Sequence, residues 1–174
     1  VALEGNKVLE YPLLFVFPAA MIFAAVMDLF TMTIPNRISL ALLLAFLGAA
    51  PLSGMEWSVF FTHLAAGAVT LAIGIFMFSR GWLGGGDAKL LSATVLWLGT
   101  DHLIPYLVMV SLMGGALAIA ILFYRGMVLP SWVTSQAWAL RLHDKTGGIP
   151  YGVALAGAGL WVYPATTWFS ALSA

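Results

Sequence analysis

The sequence predicts an all-α membrane protein: a bundle of six transmembrane helices with both termini extracytoplasmic. Three observations carry that reading. The 174 residues are 62% hydrophobic and only 8% charged, with a mean hydropathy of +1.01, whereas a soluble domain is about 25% charged. So little polar surface cannot cover a globule, and lipid must be most of the solvent. The apolar residues fall into six runs, each near the roughly 20 residues of a bilayer crossing. Lysine and arginine then occupy alternate connections between the runs, the pattern expected when positive charge is retained on the cytoplasmic side.

In chain order, residues 1–10 form a polar tail. The tail lacks a basic region leading into a short apolar core and a small-residue cleavage site, so no removable signal peptide is expected. Residues 11–174 read as a single six-helix domain. The first span covers about 11–30 and holds Pro12 and Pro18; the second covers about 38–55, with Pro51 late in it. The third runs over about 57–78, the short fourth over about 87–99, the fifth over about 103–124 and the sixth over about 151–172. Small residues such as Ala65-Ala66-Gly67-Ala68 and Gly114-Gly115-Ala116 suit close helix packing in lipid. Between the last two spans, Pro130-Ser131 is a plausible helix start. The residues from Trp132 to Leu140 fit a short interfacial helix and an ordinary loop about equally.

Topology rests on the cations. Arg37 follows span one, Arg80 and Lys89 flank the third-to-fourth connection, and Arg125, Arg141 and Lys145 lie between five and six. The other two connections carry only Glu56 and Asp101. This places the three basic connections inside and both termini outside. Zero net charge favours no nucleic-acid partner, and the absence of cysteine removes disulfides and thiol chemistry. His63, His102 and His143 are widely separated, so no metal or other cofactor is expected.

The same topology puts two acids at one membrane face: Asp28 at the end of span one and Asp87 at the start of span four. Glu4, Glu10, Glu56, Asp101 and Asp144 fall in polar segments and need no functional account. Taken alone, Gly84-Gly85-Gly86-Asp87 is a flexible turn with an N-capping acid. An acid inside the apolar run at the matching depth changes the balance. Two carboxyls at close quarters cannot both ionise freely and share a proton, which suits aspartyl proteolysis. The glycines would let an extended peptide approach the main chain. Proton or ion transport is the alternative use of such acids, although transporter sites lie nearer the bilayer midplane.

Asp28, Thr31 and Ile34-Pro35-Asn36, followed by Gly84-Gly85-Gly86-Asp87-Ala88-Lys89-Leu90-Leu91, resemble the prepilin peptidase family of membrane aspartyl proteases. The Gly-x-Gly-Asp signature is shared with presenilin-type and preflagellin peptidases. The Ile149-Pro150-Tyr151-Gly152-Val153-Ala154 run that opens span six resembles the short subfamily that serves Flp (Tad-type) pili. The resemblance implies that Asp28 and Asp87 are the catalytic pair and that no cofactor takes part. It implies a prepilin or pseudopilin partner, whose basic leader is cut at the cytoplasmic face of a prokaryotic inner membrane. Longer members also N-methylate the new terminus through a region with cysteine pairs; this chain has no cysteine, so leader removal without methylation is expected. Support from Lys89, Pro35, Asn36, Pro150, Tyr151 and Gly152 is left open. Lys89 could act on the dyad, hold the loop or meet headgroups, and Tyr151 fits an interfacial anchor.

Overall fold

The computed structural model describes residues 2–168, with side chains from Phe15 onwards. In order they form α1 (Ala2–Thr31), α2 (Asn36–Leu52), α3 (Trp57–Ser79), α4 (Gly85–Leu98), α5 (Leu103–Gly126), α6 (Ser131–Thr134), α7 (Ala137–His143) and α8 (Tyr151–Val162). A 3-10 turn follows at Tyr163–Ala165, and no strand occurs among the described residues. α3 and α5 are each long and apolar enough to cross a membrane.

The helices coincide with the six apolar runs and depart from them at their ends. α1 continues through the polar residues predicted to form a tail. α2 starts two residues earlier than expected and stops at Leu52, one residue past Pro51. α4 starts at Gly85, so two of the three glycines are helical. α8 stops at Val162 because Pro164 has no N–H to continue the ladder, and the chain tightens into the 3-10 turn there. The predicted run to about 172 lies partly in 169–174, outside the described residues. The 127–150 connection resolves into two short helices, with Pro130 as the cap and Ser131 as the first helical residue.

α1, α2, α4 and α8 form a four-helix ring in which each packs on its two neighbours; α3 lies outside it against α4, and α5 outside it against α8. Eight of the 14 residues of α4 are buried, which makes it the central helix. α3, by contrast, buries a single strip of Phe60, Gly67 and Gly74, spaced seven apart. Without side chains on that strip the backbones meet: a Cβ at Gly74 would lie 2.9 Å from the Ala88 Cβ, and one at Gly67 would lie 3.2 Å from the Leu96 Cβ. Both α2 and α3 end in a Schellman motif with a left-handed glycine. At α3, Gly81 N–H donates to Phe78 O and Trp82 N–H to Met77 O.

Contacts among α1, α4 and α8 share one register. Met21, Thr94 and Gly159 meet in the core, where a Gly159 Cβ would sit 3.2 Å from Thr94 Cγ2 and 3.4 Å from Met21 Sδ. Seven residues from each, about 10 Å along the axes, stand Asp28, Asp87 and Gly152. Towards the other end, Phe17 stacks on Tyr163 and packs against Trp97, with ring centroids 4.7 and 5.6 Å apart. That end is pinned by indole donors: Trp97 Nε1 to Leu42 O (2.9 Å) and Trp168 Nε1 to Trp97 O (2.8 Å). His63 belongs to it as a packed residue, bonded to Leu96 O at 2.8 Å and stacked on Phe46. The connections 32–35, 80–84 and 127–150 all lie at the opposite end, so Arg37, Arg80, Lys89, Arg125, Arg141 and Lys145 gather around the two acids.

The helix contacts predict opposite effects for two glycine substitutions. Gly74→Ala inserts a methyl against the Ala88 backbone and should destabilise by about 1–3 kcal/mol, lowering the thermal unfolding midpoint in detergent. Gly115→Ala meets open space and should leave the midpoint unchanged or raise it, since alanine is the better helix former.

Candidate active site

Asp28 lies in the last turn of α1 and is 5% exposed. A carboxylate so deep in an apolar bundle needs donors, and α8 supplies them. The Gly152 N–H donates to Asp28 Oδ2 at 2.7 Å, and the Val153 N–H also bonds this carboxyl. These are among the first N–H groups of α8, which have no partner within their own helix. The capping residue is Pro150, whose side chain makes no capping hydrogen bond. Asp28 therefore caps α8 from another helix.

Asp87 makes the analogous contact within its own helix. The cap of α4 is Gly84, in extended geometry (φ −68°, ψ 143°), and Asp87 is the third helical residue. Its carboxyl reaches back to the Gly84 backbone N–H, the return half of a capping box. With two of the glycines helical, Asp87 is the third helical residue and Gly84, not Asp87, is the N-cap. Because α4 and α8 run parallel side by side, two positive helix ends converge and each carries a carboxylate. Asp28 on α1 and Asp87 on α4 thus lie at the same end of the bundle, on the two helices that flank α8 in the ring.

Ile34, from the α1–α2 connection, packs against Gly86 and Gly152. A Cβ on Gly86 would lie 3.1 Å from Ile34 Cβ, and one on Gly152 would lie 2.6 Å from Ile34 Cδ1 and 2.8 Å from Asp28 Oδ2. That connection is held in place at both ends. Met32 takes the left-handed conformation (φ 56°), and its N–H bonds Asp28 O at 2.8 Å. The Thr31 hydroxyl bonds Met27 O at 2.6 Å. Pro35 caps α2 in extended geometry, and Asn36 Oδ1 accepts a 2.8 Å hydrogen bond from Lys89 Nζ.

Asp28, Gly152 and Gly86 are therefore brought together around Ile34, while Asp87 meets Gly84. Gly85 faces outward, 3.3 Å from the Phe78 ring as measured from an added Cβ. Among the roles left open for Lys89, it ties α4 to the start of α2. Tyr151 packs its ring on Gly114 and stays 40% exposed, and Pro150 is fully buried. Sequence reasoning quoted Val153 within the motif run but gave no role to its backbone N–H, and took Arg125 and Arg141 as topological charges only. Arg141 Nη1 donates to Phe30 O at 2.7 Å, two residues beyond Asp28, and Trp138 packs edge-on against Phe30. The acid of this connection, Asp144, is separate from the site. The Thr146 backbone N–H and hydroxyl hold its carboxyl below the ordinary carboxylate range.

Residues 15–119 match the family model described as the type IV leader peptidase family. The matched stretch holds both aspartates and the three glycines, and it ends before the α8 donors. No curated protein and no solved structure matches the chain.

The glycine contacts rank three substitutions by their effect on hydrolysis of a prepilin. Gly152→Ala drives a methyl into Asp28 and Ile34, and Gly84→Ala would push the Asp87 carboxylate, whose Oδ2 lies 2.6 Å from the added carbon. Each should cost about 10²-fold in kcat while the protein still accumulates. Gly85→Ala meets only the movable edge of Phe78 and should stay within about threefold of wild type.

Proposed function

The chain belongs to the type IV leader peptidase family, and from that premise we propose that it is a membrane aspartyl endopeptidase that removes the leader of a prepilin or pseudopilin. The observation that carries the aspartyl assignment is the convergence of Asp28 and Asp87 on adjacent helix N-termini. In the reaction, one carboxylate takes a proton from water as the water oxygen attacks the scissile carbonyl carbon. The protonated partner hydrogen-bonds the carbonyl oxygen and then delivers its proton to the leaving nitrogen as the C–N bond breaks. The pair shares these roles as a unit. The exposed Gly84 and the extended backbone around it suit the close approach of an unfolded peptide segment.

The setting is the inner membrane of a prokaryote, crossed six times, with both termini outside and the acids at the cytoplasmic face. What supports it is the gathering of six of the seven lysines and arginines at the acids' end of the bundle. Placement at a bundle end also favours a peptidase over a proton or ion carrier, whose sites lie nearer the midplane. The leader, basic in the substrates of this family, would then be cut where it emerges from the membrane. We assign to these residues the removal of the leader of a Flp-type pilin.

Incubation of the purified protein with a candidate prepilin, with the products read by mass spectrometry, tests the assignment. One cut ahead of the pilin's apolar segment is expected. Asp28→Asn and Asp87→Asn should each lower the rate by at least about 10³-fold and still accumulate in the membrane. Normal processing by either variant would refute the dyad.

A further inference from the structure

We propose that Arg125 is a positioning residue for the Asp28 half of the dyad, acting through the loop that delivers the Gly152 N–H. The inference rests on the dyad reading above. Arg125 ends α5 and is 8% exposed. Its guanidinium donates to three backbone carbonyls: Nε to Leu142 O at 2.9 Å, and Nη2 to Gly147 O at 3.0 Å and Gly148 O at 2.7 Å. A charge needed only to set topology would do as well in solvent. Burying it costs solvation, and the bonds it makes in return fix one particular segment.

That segment is the approach to α8. Gly148 precedes Gly152 by four residues, and there is little slack between them. Pro150 has its φ locked by the ring, and the Tyr151 N–H closes a turn onto Ile149 O at 2.8 Å. Gly147 is confined from behind, since a Cβ there would lie 3.3 Å from both Arg141 O and Asp144 O. Fixing the Gly147 and Gly148 carbonyls therefore fixes where α8 begins, and so where its first N–H groups meet Asp28 Oδ2. The geometry calls for arginine: a planar fork serves carbonyls on two sides, which a lysine ammonium on a single stem does not.

The test compares Arg125→Lys, Arg125→Gln and Asp28→Asn with wild type in full-length protein labelled with 15N-glycine, the Gly152 amide being assigned by its loss in Gly152→Ala. For Arg125→Gln we expect kcat on a prepilin to fall by about 10²-fold with KM changed by less than about threefold, and the Gly152 amide to shift towards its position in Asp28→Asn. Arg125→Lys, which keeps the topological charge, should lie between Arg125→Gln and wild type in both readouts, and it carries the test alone if Arg125→Gln fails to accumulate. Wild-type kcat in Arg125→Lys, or a loss of kcat with an unmoved Gly152 amide, would overturn the proposal while leaving the dyad intact. Normal cleavage by Asp28→Asn would overturn the dyad reading and this role with it.

Discussion

The hydrogen bond from the Gly152 N–H to the Asp28 carboxyl, closed across 124 residues of chain, is the contact on which the geometry of this end of the molecule depends. Two deficits meet in it. Asp28 is an anion-forming group at 5% exposure among apolar helices, and α8 opens behind a proline that offers its first N–H groups no side-chain partner. Either alone would cost several kcal/mol in a medium without water. Joined, they satisfy each other and fix the axial placement of α8 on α1. Glycine is required at the contact because any side chain would occupy the space of the carboxylate and of Ile34.

That placement propagates through the core. Seven residues on from the acids, Met21, Thr94 and Gly159 close against one another, and beyond them the rings of Phe17, Trp97 and Tyr163 stack. Seven residues are almost two turns, so neighbouring helices keep the same faces together from layer to layer. The far end is tied by indole and imidazole donors to backbone carbonyls. The end with the acids relies on arginine, lysine and helix N-termini instead. Lys89, Arg125 and Arg141 thus brace the segments at the acids' end of the bundle.

Much of this was legible in the sequence, for identifiable reasons. Hydropathy located the helices because apolar runs in lipid need no amphipathic period to betray them. Charge placed Asp28 and Asp87 at one end because cations mark alternate connections. Glycines ahead of an acid pointed to a turn, and the turn is there, although the helix claims two of the glycines. What was not legible depends on tertiary contact. Val153 contributes only its backbone, which any residue has. Arg125 reads the same in sequence whether it faces headgroups or three buried carbonyls. The early end of α8 was foreshadowed by Pro164, whose effect was outweighed by the hydropathy of the residues around it.

The layout of four ringed helices with two outside them divides the site mechanically. Asp28 and its donors belong to α1 and α8, which pack extensively on one another. Asp87 belongs to α4, which is bound most closely to α3 through backbone contacts at Gly67 and Gly74. The carboxyls are therefore mounted on different helix pairs, which the packing of α4 on α2 and α8 joins. Ile34, seated between Gly86 and Gly152, fills the space where α4 and α8 meet. Displacing α4 together with α3 would change the separation of the carboxyls, and α2 and α8, which also pack on α4, would resist it.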